Sequence, residues 1–237
     1  MPEQPTLVLI HGHGVDASIW DGVCAVSLFD GPTLRPDFSK RTDLANIDAY
    51  AHDLHRQLQT ANARKVVLVG HSMGGYIALA FAEQYPEMVS GLVLFHSTAY
   101  ADDDAKKEQR KQTIQALQTE GAAPFIEKTI PKMVAPGFSP EIVQQLVDTY
   151  RTLPANALAA GMQAIANRPD RTHLLRDARF PVLVILGKQD QLIAYDKTRT
   201  LANFSTKVNV ATMETAGHLG MIEQIDEAAR LLSGFVQ

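Results

Sequence analysis

Four short runs of this chain are apolar almost from end to end: Leu7 to Ile10, KVVLVG at 65–70, GLVLF at 91–95 and FPVLVILG at 180–187. Successive side chains of a strand point to opposite faces of its sheet, so a strand that is apolar throughout must be covered on both faces. An antiparallel sheet with one wet face does not meet that condition. A parallel sheet between two layers of helices does, and the intervening segments supply the helices. Residues 46–60, NIDAYAHDLHRQLQT, place Ile47, Tyr50, Ala51, Leu54 and Leu58 three and four apart, as one buried helix face requires. Met73 to Gln84 repeats the pattern with Ile77, Ala78, Phe81 and Ala82, and Pro86 ends it. A further strand is read at TKVNVAT, residues 206–212, with a helix-like stretch before it and another at the C-terminus.

Between Ala101 and about Asn167 the strand signal disappears. Charged, helix-like sequence takes over, broken by Pro124, Pro131, Pro136 and Pro154, which reads as a helical insertion. The 237 residues suffice for one large α/β domain that carries it. A formal charge of -4 leaves no electrostatic footprint for nucleic acid or an anionic membrane, so neither is expected as a partner. Cys24 is the sole cysteine, which excludes an intrachain disulfide and a cysteine-built zinc site. The N-terminal MPEQPTLVLIHG has no basic leader, and its apolar run is too short for a signal-peptide core or a membrane span. A cytoplasmic protein is therefore expected.

Ligands of parallel α/β sheets sit at the carboxyl ends of the strands, so each functional candidate should follow a strand. The segment Gly70 to Gly74, GHSMG, ends one apolar run and opens a helix. A tight turn in that setting pushes a serine hydroxyl out above the sheet, and glycines at 70 and 74 avoid collision where the backbone folds back. Ser72 is thus a candidate nucleophile; its alternative is an ordinary residue at a helix N-terminus. A serine hydroxyl needs a base within reach and a third group to orient that base. Among eight histidines, His218 in TAGHLGMIEQ lies just after the last strand. His52 and His55 fall on the helix at 46–60, His71 lies inside the turn pointing away from the hydroxyl, and His173 falls in a connecting loop. For the orienting acid, Asp190 in VLVILGKQDQLI follows the penultimate strand, with room for one helix and one strand before His218. Its alternative is a turn or helix-capping duty, and Asp196 is a rival further along. Acyl transfer also builds charge on a carbonyl oxygen that fixed donors must meet. The backbone N–H of Met73 and, from the HGHG turn, that of His13 are the candidates. His11 and His13 stand two apart, but with no clustered carboxylate or cysteine they are not read as a metal site.

HGHG after the first strand, GHSMGG at the turn, GKQD for the acid and AGH for the base together resemble the α/β-hydrolase fold family across residues 7–237. ANRPDRTHLL, residues 166–175, looks like the cap-to-core junction of its small bacterial esterases and enol-lactonases. The resemblance implies a core of residues 1–100 and 168–237, with about six mostly parallel strands flanked by helices, and a helical cap over 101–167. Almost no chain precedes the first strand, so the two leading strands of the full family sheet are expected to be missing. The implied activity is that of a serine hydrolase, without cofactor or metal, acting on a small ester or lactone. Ser72 attacks, His218 shuttles the proton, Asp190 fixes the imidazole, and water cleaves the acyl-enzyme. His96, after the third strand, and Phe125, Ile130 and Met133 of the insertion are candidate substrate contacts, with local hydrogen bonding the alternative for His96. At least half of Phe125, Ile126, Ile130, Met133, Val134 and Phe138 are expected to be core. Serine at 72 argues against a dehalogenase or epoxide hydrolase, which would use aspartate. Two readings stay open beside the hydrolase: cofactor-free haloperoxidase-type activity, and a ligand receptor or interaction protein that turns over slowly or once.

Overall fold

The computed structural model describes residues 4–27, 29–44 and 46–236. Six strands form one sheet: β1 (Thr6–Ile10), β2 (Thr33–Leu34), β3 (Val66–His71), β4 (Val89–Phe95), β5 (Val182–Gly187) and β6 (Val208–Met213). Their order is β2-β1-β3-β4-β5-β6, and every neighbouring pair is parallel. Five of these strands lie close to where the apolar runs place them. The other, β2, pairs only with Leu7 and Val8 at the sheet edge and is too short to carry any periodicity.

The helices are α1 (Asp21–Val26), α2 (Ile47–Thr60), α3 (Met73–Gln84), α4 (Asp104–Glu120), α5 (Ala122–Thr129), α6 (Pro140–Tyr150), α7 (Ala155–Ala166), α8 (Thr172–Arg176), α9 (Tyr195–Thr198), α10 (Gly220–Glu223) and α11 (Ile225–Val236). Strand periodicity divides the core between them. Val8, Ile10, Leu68, Leu94 and Val184 cluster with Leu54 and Leu58 of α2 and with Ile77 and Phe81 of α3. Leu7, Leu9, Val67, Val69, Phe95 and Ile185 cluster on the other side with Val23 of α1 and Leu232 of α11. His173, expected in a loop, lies in α8, with its Nε2 2.9 Å from Glu83 Oε1.

Helices α4 to α7 fill the chain between β4 and β5, and their apolar faces join the second cluster through Leu117, Ile126, Val147 and Leu158. Ile130 and Met133, the candidate substrate contacts, are 0% and 2% exposed and pack in that cluster. Ile126 and Val134 are buried with them, whereas Phe125 and Phe138 are only partly buried. Because all strands run the same way, the segments after β1, β3, β4, β5 and β6 share one edge of the sheet. No helix among the described residues is long and apolar enough to cross a membrane.

Candidate active site

Ser72 joins β3 to α3 with φ 52° and ψ −115°, a conformation that costs a side-chain-bearing residue roughly 1–3 kcal/mol. From Val66 to Ala82 it is the only residue that is not buried. Three hydrogen bonds hold the strained unit. Ser72 N–H donates to Phe95 O (3.1 Å), while the Ser72 carbonyl accepts from Gly75 N–H (2.9 Å) and the Ser97 hydroxyl (2.7 Å). The flanking glycines are required by close approach: a Cβ on Gly70 would sit 2.3 Å from Gly74 O, and one on Gly74 2.4 Å from Ile10 O. The role of Ser97 is not visible in sequence, because its partner lies on a different strand connection.

His218 Nδ1 lies 2.7 Å from Asp190 Oδ2, and the two side chains are 1% and 2% exposed. The other oxygen, Oδ1, accepts from Leu192 N–H (2.7 Å) and Ile193 N–H (3.0 Å). Burial pushes the Asp190 carboxyl up, but the charge and hydrogen bond of His218, then His96 and the Ile193 amide, outweigh it and leave the pKa below the usual value. An ionised carboxylate can only accept, so Nδ1 of His218 donates to it, and Nε2 is the acceptor nitrogen of the neutral ring. The histidine sits against the turn that carries Ser72. Its carbonyl accepts from His71 Nε2–H at 2.9 Å, and the two imidazole centroids are 4.7 Å apart. The structure thus brings His218 and Asp190 into direct contact beside residue 71, with no Ser72 hydroxyl hydrogen bond among the described residues. Asp196, the rival acid, is exposed on α9 and pairs with Arg199 at 3.3 Å.

A residue that sequence reasoning missed secures the His218 loop. Glu223, in α10, accepts from Gly217 N–H (3.0 Å) and Leu219 N–H (3.1 Å) on either side of His218, and from Ala135 N–H (2.7 Å) of the insertion. His218 and Leu219 N–H groups in turn both donate to Met133 O at 2.8 Å. Burial raises the pKa of Glu223, and these amide donors oppose the shift. An acid directly after the apolar run LGMI was the available signal, since a carboxylate drawn into packing needs partners. Glu223→Gln turns an amide NH2 toward backbone donors and is expected to cost about 1–3 kcal/mol, read as a lowered Tm in thermal unfolding. An unchanged Tm would remove this clamp from the account.

His96, a candidate substrate contact with a local role as its alternative, is packed behind Asp190. Its backbone φ is 46° and its ring is fully buried, stacked on Phe95 at 4.7 Å, with Nδ1 3.9 Å from Asp190 Oδ2. A Cβ on Gly187 or Gly220 would lie 3.0 or 2.7 Å from its Cε1, so glycines on both sides make room for the ring behind Asp190. Burial lowers its pKa to about 4, which leaves it uncharged at neutral pH. Ligand atoms of His96, Asp190 and His218 lie within 4.8 Å of one another, yet two of the three groups are already committed to each other.

His13 and Met73 line one cleft, together with Gly12, Phe38, Leu158 and Gly161. The imidazole Nε2–H of His13 donates to Leu158 O at 2.7 Å, tying the HGHG turn to α7, and burial lowers its pKa to about 4. A Cβ on Gly12 would fall 2.6 Å from His71 Nδ1 and 3.1 Å from Ser72 Cβ, so this turn runs directly over the serine. His11 bonds backbone through both nitrogens, donating from Nδ1 to Gly12 O (2.7 Å) and accepting at Nε2 from Phe38 N–H (2.8 Å). Phe125 remains near the cleft, edge-on to His13 with centroids 5.7 Å apart.

A parallel α/β sheet with a strained serine turn and a histidine–carboxylate pair on one edge defines a hydrolase-type fold. The chain matches the model of the alpha/beta hydrolase family over residues 7–231 and belongs to that family. It is 27% identical over 181 residues to Lipase 1 of Psychrobacter immobilis, covering 74% of this chain and 57% of the lipase, so it spans little more than half of that relative. It is also similar to an esterase from Thermogutta terrifontis, solved with malate bound, at 26% identity and a TM-score of 0.91 over 99% of this chain and 90% of that one. The enol-lactonase from Burkholderia xenovorans LB400 shares the fold, with a TM-score of 0.88 at 20% identity over 99% and 92% of the two chains.

Proposed function

We propose that this chain is a serine hydrolase that cleaves small carboxylic esters or lactones through an acyl-enzyme. The observation that carries the reading is the 2.7 Å His218–Asp190 hydrogen bond, seated beside a turn whose serine alone is open. In this reading the Ser72 hydroxyl adds to the substrate carbonyl and gives its proton to His218 Nε2. Asp190 holds the imidazole and balances the imidazolium charge. The N–H groups of Met73 and His13 meet the oxyanion, each contributing roughly 3–4 kcal/mol in the transition state. The imidazolium protonates the leaving alcohol, and water then repeats the sequence on the acyl-enzyme. Residues 101–167 act as the cap over a core of residues 1–100 and 168–237, with Phe125 facing the acyl group. The lipase and esterase relatives support this class of chemistry.

A fluorophosphonate probe tests the reading. One covalent adduct per chain, mapped to Ser72 by mass spectrometry, is expected, together with many turnovers on a chromogenic short-chain ester. No adduct would remove the proposal. An adduct without turnover on esters, lactones or thioesters would leave the receptor reading in its place.

A further inference from the structure

A second cleft opens on the same edge of the sheet, and its charge is opposite to that of the chain. Its lining includes Tyr76, Asp102, Lys106, Arg110, Arg168 and Lys197. Asp102 is shared by two arginines, accepting from Arg110 Nε and, at 2.8 Å, from Arg168 Nη2. Burial would raise its pKa, but the two guanidinium groups hold it at about 2, so it remains one negative charge. Lys106 and Lys197 have no carboxylate partner among the described residues, and Lys197 Nζ stands 4.6 Å above the Tyr100 ring. Four cations therefore face one anion among the lining residues, with Asp170 behind them at the Ala101 amide, in a chain of formal charge -4.

Two features make this a built cleft and not a chance cluster of surface lysines. Arg168 is 4% exposed at its side chain and is fixed by Nη1–H donation to Ile165 O (2.9 Å) and Nη2–H donation to Tyr100 O (3.1 Å). Its guanidinium covers the Tyr76 ring at 4.0 Å. Tyr76 is 5% exposed, lines the cleft, and has no hydrogen-bond partner for its hydroxyl among the described residues. The exposed part of this residue opens into the cleft, where the hydroxyl is free to donate to a ligand oxygen.

The cleft adjoins the residues assigned to chemistry. Tyr76 is one helical turn beyond Ser72 on α3, and Ile193, whose N–H holds Asp190, also lines it. Arg110 Nη1 reaches Met162 Sδ on α7 at 3.3 Å, and the neighbouring Gly161 abuts His13, so the two clefts lie on either side of one turn of α7 and close to each other. We propose that the Tyr76–Lys106–Lys197 cleft is a subsite for a carboxylate carried at the far end of the substrate. The preferred substrates are then half-esters of dicarboxylic acids, or lactones that bear a free carboxylate. This rests on the hydrolase reading for the reaction, but not for the binding of the anion.

The test pairs two chromogenic esters of one length, the mono-p-nitrophenyl ester of glutaric acid and p-nitrophenyl pentanoate, at low ionic strength. The ratio of their kcat/KM values is expected to favour the half-ester by about tenfold or more and to fall as salt is added. Replacing both exposed lysines, Lys106→Ala with Lys197→Ala, should bring that ratio down about tenfold, and Tyr76→Phe, which keeps the ring, about threefold. A ratio near one in the unaltered protein, or one that these changes leave as it was, would overturn the subsite. If neither ester is hydrolysed, the hydrolase reading fails separately and the subsite is judged by calorimetry with glutarate. Binding that is lost in the double variant upholds it; no binding, or binding of inorganic phosphate alone, overturns the carboxylate assignment.

Discussion

Ser72→Ala is expected to lower kcat/KM on a chromogenic short-chain ester by at least about 10³-fold while the protein stays folded. The large loss follows from removing the only atom proposed to form a bond with the substrate. The small structural effect follows from the hydrogen bonds of the turn. Those that hold it run through the Ser72 backbone, from its N–H to Phe95 O and to its carbonyl from Gly75 and Ser97, and none uses the hydroxyl. Alanine keeps the Cβ and the same backbone strain, so circular dichroism and Tm should match the parent. Undiminished hydrolysis in a folded Ser72→Ala protein would remove the nucleophile from this account.

Asp190→Asn is expected to cost about 10³- to 10⁴-fold in kcat/KM, and the hydrogen bonds around the carboxylate say why. Leu192 and Ile193 N–H groups both donate to Oδ1, so the amide oxygen of asparagine keeps that position and the NH2 group faces His218 Nδ1. An NH2 group donates, which forces Nδ1 to accept and moves the imidazole proton to Nε2. The nitrogen that should take the serine proton is then already occupied. Kinetics measured with nitrogen NMR of the imidazole tautomer check both halves. A fully active variant would transfer the acid role to another residue. Because His218, His96 and the Ile193 amide together outweigh burial and hold Asp190 below the ordinary carboxylate value, the carboxylate that orients the imidazole is charged at neutral pH.

Much of the site is readable before any coordinates because its constraints are local. A serine on a strand-to-helix turn demands glycine where the backbone doubles back, and the crowding around Gly70 and Gly74 shows how little room exists. The rule that functional loops follow strands points to Asp190 and His218, and a direct bond joins them. That at least half of the insertion's apolar residues pack as core follows from the sequence, and four of the six do, but which ones, and the burial of His96, is not readable. An apolar or imidazole side chain in an insertion or after a strand has the same sequence signature whether it lines a cavity or fills the core. The space that neighbouring segments leave, such as the gap between Gly187 and Gly220 that takes the His96 ring, makes the choice.

What the amino-acid order determined alone is the parallel sheet, its covered faces and the edge on which the serine, aspartate and histidine fall. Those follow from side-chain alternation and backbone sterics, which act over a few residues. Only the tertiary structure decided which groups meet across long stretches of chain: Glu223 with Ala135, 88 residues apart, His13 with Leu158, 145 apart, and Arg168 with Asp102, 66 apart. Hydrogen bonds and ion pairs form wherever packed segments bring donor and acceptor within about 3 Å, and no spacing along the polymer encodes that distance.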